Sequence, residues 1–144
     1  MTKSTHSAIV DPRNENVKIY INGDFHSREN ARISVFDSGF LVGDGIWEGL
    51  RLHNGKIAFL DKHLDRLFAG ASAIHLDIGL DKEELINALL KTVETNGMTD
   101  DVHIRVMITR ANKKTPSQHP SNFIGGPNIV LIAEMPAAPP LIAA

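Results

Sequence analysis

The chain has 144 residues, of which 42% are hydrophobic and 22% charged, with a net charge of −2 and no cysteine. That is enough chain for one domain with a real core, and the near-balanced charge gives no electrostatic case for nucleic acid or an anionic membrane as partner. No apolar run nears the roughly 20 residues of a membrane span. Residues 1–16 lack the apolar stretch of a signal peptide, and the lack of thiols removes disulfide and thiolate chemistry. A cytoplasmic protein is expected.

Residues 1–16 read as a loose, flexible N-terminal arm. Residues 17–21 alternate as a strand, and Asn22-Gly23 is a strong two-residue hairpin signal. Asn54-Gly55 repeats it between strands expected at 48–52 and 57–60. Leu64, Leu67, Phe68, Ala71 and Ile74 recur at helix spacing, with Asp61 as the expected N-cap. A second helix is predicted from Asp81, with Glu84 three residues on as a capping box. Its stripe is Leu85, Ile86, Leu89, Leu90 and Val93, and Asn96-Gly97 ends it. Residues 102–109 form a strand with Val102, Ile104, Val106 and Ile108 on one face and His103, Arg105, Met107 and Thr109 on the other. A polar loop is expected over 111–127, then a short apolar strand over 128–133. The expected fold is α+β: an antiparallel sheet with two amphipathic helices packed on one face, filling residues 17–134. Residues 135–144 contain Pro136, Pro139 and Pro140 and read as the start of a stiff linker to a second domain.

Gly39, Gly43, Gly45 and Gly49 interrupt an apolar run, but their spacing is neither a dinucleotide fingerprint nor a P-loop. By spacing alone they mark a tight turn between strands. Asp37, Asp44 and Glu48 read as exposed turn carboxylates rather than an acid/base set. Ser34 and Ser38 lack a nucleophile context, and the seven histidines show no metal-ligand spacing, so no metal site is expected.

The run Phe40-Leu-Val-Gly-Asp-Gly-Ile-Trp-Glu-Gly49, followed by His63-Leu-Asp-Arg66-Leu67, resembles the N-terminal signature of the class IV (fold-type IV) aminotransferases. These include branched-chain and D-amino-acid aminotransferases and aminodeoxychorismate lyase. The resemblance covers roughly residues 17–135 and is most specific over 34–67. It implies pyridoxal 5′-phosphate as cofactor, an amino donor and a 2-oxo acid as small-molecule partners, and a homodimer. It implies that Arg66, which lies off the apolar stripe of its helix, binds the cofactor phosphate through the paired donors of a guanidinium. Without the resemblance, Arg66 is a solvated surface arginine.

Trp47 stands where the family places phenylalanine or tyrosine facing the substrate, so an indole there narrows or reshapes the pocket; the plain alternative is a core tryptophan. Phe40 and Val42 belong to the same segment, and Val42 stands where branched-chain enzymes carry tyrosine. Arg105, with His103 beside it on the strand, is a candidate for holding a substrate carboxylate. Arg51, at the end of the signature, is a further candidate, with a structural role bridging loops as the alternative. D-amino-acid aminotransferases resemble Ser-Pro-Arg-x-His in the following loop; this chain keeps His119 but has Ser117 in place of the arginine.

The lysines are 3, 18, 56, 62, 82, 91, 113 and 114, and none matches the family's context for the lysine that holds the cofactor covalently. The expectation is an N-terminal portion that is inactive alone, with transamination belonging to the longer protein. A lyase of the aminodeoxychorismate type and a non-catalytic binding or dimerisation module are the alternatives.

Overall fold

The computed structural model describes residues 10–136. Within them, eight strands and three α-helices follow one another: β1 Lys18–Ile21, β2 Asp24–Ser27, α1 Ser38–Val42, β3 Gly45–His53, β4 Lys56–Ile57, α2 Leu60–Ala73, α3 Lys82–Thr95, β5 Val102–Thr109, β6 Asn112–Lys113, β7 Phe123–Ile124 and β8 Asn128–Glu134. Six strands form one antiparallel sheet in the order β2-β1-β8-β5-β3-β4, and β6 and β7 pair separately. The α+β architecture is therefore the one expected.

Two Asn-Gly turns set the register of the hairpins. Ile21 lies opposite Asp24 and His53 opposite Lys56, with positive φ at Asn22, Gly23, Asn54 and Gly55, as the right-handed twist of paired strands demands of a two-residue loop. Along β5, Val102, Ile104, Val106 and Ile108 are all fully buried. They share a face with Leu50 and Leu52 of β3 and with Leu131 and Ala133 of β8. Leu64, Leu67 and Ala71 of α2 and Leu85, Leu89 and Val93 of α3 close over that face. Burying each such leucine is worth about 1.5–3 kcal/mol. Ile74 and Leu90, placed on the apolar stripes by spacing, stay exposed at the stripe margins. The capping box is present, with Glu84 N–H donating to Asp81 and Asp81 N–H to Glu84.

The structure corrects several local expectations. Asp61 does not cap α2: it sits inside the first turn, and the cap position is Phe59 in a left-handed conformation without a side-chain bond. Of the strand expected over 57–60 only Ile57 pairs, joined by Lys56 before it, because Leu60 already begins the helix. The loop 111–127 contains the small β6–β7 pair. From residue 10 onward the expected arm is ordered: Pro12–Asn14 is a 3-10 turn, and the buried Asn14 side chain bonds both backbone groups of Met135. Residues 1–9 and 137–144, which hold the rest of the arm and most of the expected linker, lie outside the described residues.

The glycine-rich run is not a turn between strands. It is the one-turn helix α1, ended by Gly43 at φ 71°, and then the long strand β3. Gly45 permits the closest strand approach: a Cβ there would stand 2.8 Å from the Ile108 carbonyl oxygen. Backbone cannot rotate away as a side chain can. Gly45→Ala is expected to lower stability by about 1–3 kcal/mol, read as the shift in a urea midpoint; an unshifted midpoint would show a looser β3–β5 spacing than described.

Candidate functional site

Strand β3 divides the signature between two sides of the sheet. Successive side chains alternate, so Ile46, Glu48, Leu50 and Leu52 point toward the helices while Trp47, Gly49 and Arg51 point to the open face, in register with Met107, Arg105 and His103 of β5.

On the helix side Glu48 is a buried carboxylate, 4% exposed, in an otherwise apolar row. Both its oxygens are taken. Arg66 donates from Nε to Oε1 at 2.6 Å and from Nη2 to Oε2 at 2.9 Å, and His63 Nδ1 lies 2.8 Å from Oε2. The Arg66 hydrogen bonds, against the opposing effect of burial, hold the Glu48 carboxyl below its ordinary range, with His63 adding to the same effect. Arg66 is raised in turn by the same bonds. Although its carboxylate partner is buried, the Arg66 side chain is 72% exposed. It lines a cleft of about 240 Å³ with Phe59, Lys62 and His63, and Lys62 Nζ stands 5.9 Å from the Phe59 ring centre. The lining of this cleft is cationic and contains no carboxylate.

On the open face the Arg105 guanidinium lies 4.4 Å from the centre of the Trp47 ring, a cation–π stack. Trp47 is 62% exposed, so it is not a core tryptophan. A hollow of about 300 Å³ runs over Gly43, Gly45, Trp47, Arg105, Met107 and Thr109. The missing side chain at Gly49 leaves room for the His103 imidazole. Partial burial, then the charges of Arg105 and Arg51, hold His103 below the ordinary imidazole value, which favours its neutral form.

The remaining sequence candidates scatter. Phe40, on α1, borders a larger apolar groove of about 490 Å³ over Ile19, Ile21, Met107, Val130 and Ile132. Val42 faces another cleft, of about 480 Å³, with Arg110 and Phe123. Arg51 is paired with Asp101 at 3.2 Å. His119 bonds Ser121 in the exposed loop and is not among the residues lining the Trp47 hollow.

The three carboxylates read as exposed turn residues are none of that kind. Asp37 is fully buried, capping α1 through Phe40 N–H and accepting from Asn128 Nδ2 at 2.7 Å and from Thr109. Asp44 pairs with Arg110 at 2.7 Å, and Glu48 pairs as described. Glu48 was findable: strand alternation carried back to Ile46 puts it in the apolar row, where a carboxylate requires a partner. His63 was visible only as part of a motif.

The profile of the family described as amino-transferase class IV matches residues 45–143, and the chain belongs to that family. It is 41% identical over 123 residues to branched-chain-amino-acid aminotransferase-like protein 1 of Arabidopsis thaliana, covering 85% of this chain and 22% of that protein. It is 44% identical over 94 residues to a putative branched-chain-amino-acid aminotransferase of Methanocaldococcus jannaschii, 65% of this chain and 32% of the other. A D-alanine aminotransferase of Listeria monocytogenes is 40% identical over 91 residues, 62% and 32% of the two chains. Among solved structures, the branched-chain aminotransferase of the thermophilic archaeon Thermoproteus uzoniensis, crystallised with norvaline, superposes with a TM-score of 0.68 at 27% identity, over 83% of this chain and 40% of that one. The chain thus spans between about a fifth and two fifths of the length of these relatives.

A pH dependence follows from Glu48. Its folded pKa is depressed, so its contribution to stability is complete above the unfolded value and is lost as pH falls through the folded one. Glu48→Gln is therefore expected to cost stability near neutral pH, with the gap from wild type closing as pH falls below the ordinary carboxylate range and through the depressed folded value. Urea midpoints across that range measure this; a gap that does not change with pH would contradict the pairing.

Proposed function

We propose that this chain forms the phosphate anchor and one pocket wall of a pyridoxal 5′-phosphate-dependent aminotransferase, which moves an amino group between an amino donor and a 2-oxo acid. The observation that carries the reading is Arg66, whose Nε and Nη2 are fixed by Glu48 while the rest of an exposed guanidinium faces a cationic cleft. A phosphate monoester suits that donor set: Arg66 contributes directional N–H groups and Lys62 a nearby point charge. When bound, the cofactor supplies the reactive carbonyl carbon and the electron sink for amino-group transfer.

In this reading the open face of β3 and β5 forms the substrate wall. Trp47 offers a broad apolar surface, and Arg105, held against it, offers charge to a carboxylate. Phe40 and Val42, on α1, line separate clefts outside this hollow. Arg51 and His119 contribute less, because each is engaged with a neighbour outside the hollow. The lysine that holds the cofactor covalently belongs to a second domain following this region, with residues 135–144 opening the connection, in a homodimeric cytoplasmic enzyme. The greater length of the relatives supports this division.

In a Glu48→Gln background, which avoids leaving a buried unpaired carboxylate, Arg66→Ala is expected to weaken pyridoxal 5′-phosphate binding at least about tenfold relative to Glu48→Gln alone, measured by calorimetric titration; unchanged affinity would overturn the phosphate assignment. In the full-length protein, Trp47→Phe is expected to shift preference toward bulkier amino donors. An unaltered profile of kcat/KM across donors would remove Trp47 from the pocket.

A further inference from the structure

The Arg110 guanidinium makes four hydrogen bonds that join three parts of the chain. Nε and Nη2 donate to the two Asp44 oxygens at 2.7 and 3.1 Å, Nη1 to the His75 carbonyl at 2.7 Å, and Nη2 also to the Ile74 carbonyl at 2.7 Å. The pair is largely shielded, each side chain being 22% exposed. Asp44 sits between α1 and β3, on the same short stretch of chain as Glu48. Ile74 and His75 follow the last turn of α2, where helix carbonyls lack intrahelical donors and carry the negative end of the helix dipole. His75 itself has φ 53°, an uncommon conformation for a non-glycine residue.

Beyond the apolar packing of Leu64, Leu67 and Ala71 on the sheet, α2 therefore has two polar ties, one to β3 and one to the residue just before it. One is Arg66 and His63 on Glu48; the other is Arg110, bridging the α2 terminus to Asp44. They are separated by about eight residues, or roughly 12 Å of helix. With the Glu48 tie alone, the end of α2 would be held only by apolar packing, which is non-directional. The second tie adds directional bonds at that end and so restricts where the exposed part of Arg66 stands.

We propose that Arg110 is a positioning residue for anion binding at Arg66, acting through α2. The inference rests on the phosphate assignment made above. Lysine at this position keeps the charge but replaces the planar fork that makes these four bonds by one compact ammonium with three donors. Arg110→Lys should therefore leave a folded protein whose α2 terminus is less constrained.

The test compares pyridoxal 5′-phosphate with pyridoxal, which lacks the phosphate, by calorimetry on the full chain, with inorganic phosphate as a third probe. Arg110→Lys is expected to weaken binding of pyridoxal 5′-phosphate and of phosphate about fivefold, leaving pyridoxal unchanged. A merely structural role would weaken both pyridoxal compounds together. If Arg110→Lys does not fold, Asp44→Asn, which keeps the carbonyl bonds, carries the same comparison with the same expected loss of selectivity. Arg66→Lys is the control. Selectivity lost in Arg66→Lys but kept in the Arg110 or Asp44 variant would overturn the positioning role alone. Selectivity kept in Arg66→Lys would overturn the phosphate assignment and this inference with it.

Discussion

Glu48 places a carboxylate on the face of the sheet that is otherwise filled by Ile46, Leu50 and Leu52. A buried charge of this kind is costly unless its oxygens are matched by donors. Here both oxygens are matched from α2, by Arg66 in a forked geometry and by His63. The consequence runs in two directions. The helix is fixed in register with the strand, and a guanidinium that is mostly in water loses the freedom of an ordinary surface arginine. Fixing it in advance lowers the ordering cost that any anion would otherwise meet.

The same strand makes the open face. Because β3 alternates, the residue beside Glu48 points the other way, and Trp47 stands over β5 with Arg105 against its ring. A cationic cleft and an apolar, cation-edged wall thus arise from adjacent residues on opposite sides of one strand. Other contacts hold that strand from its N-terminal side. Asp37 ties α1 to Thr109 of β5 and Asn128 of β8, and Gly45 allows β3 to lie close to the Ile108 carbonyl. The short helix α1 has too few residues to stand on its own; its cap and its buried Ser38 supply what its length does not.

Much of this architecture is legible in the sequence because it is periodic or chemically marked. The alternation of β5, the two Asn-Gly turns and the capping box of α3 each follow from local rules, and the structure shows them as read. The parts that were not legible depend on distant partners. A five-residue helix has no stripe to detect, so the glycine-rich run reads as a turn. Asp37, Asp44 and Glu48 look like solvated turn carboxylates until the structure brings Asn128, Arg110 and Arg66 to them across separations of 91, 66 and 18 residues. The start of α2 misleads for a simpler reason: Asp61 is a good capping residue, but Phe59 in a left-handed conformation begins the helix earlier. Among the site candidates, the motif carrying Arg66 was readable, whereas the Trp47–Arg105 stack depends on the pairing of β3 with β5, two strands far apart in the sequence. Arg51 and His119 could not be separated from them without knowing that Asp101 and Ser121 engage them elsewhere.

Arg66 is exposed yet held. The direct measurement is the side-chain Nε–H resonance of Arg66 in an NMR spectrum of the chain, assigned by its loss in Arg66→Lys. Bonded to Glu48, that proton is expected to resonate apart from that of Arg32, an exposed arginine in the segment between β2 and α1, to exchange slowly with water, and to persist when inorganic phosphate is added. A resonance that merges with that of Arg32, or exchanges as fast, would contradict the account, because the anchor would then be an ordinary mobile surface arginine.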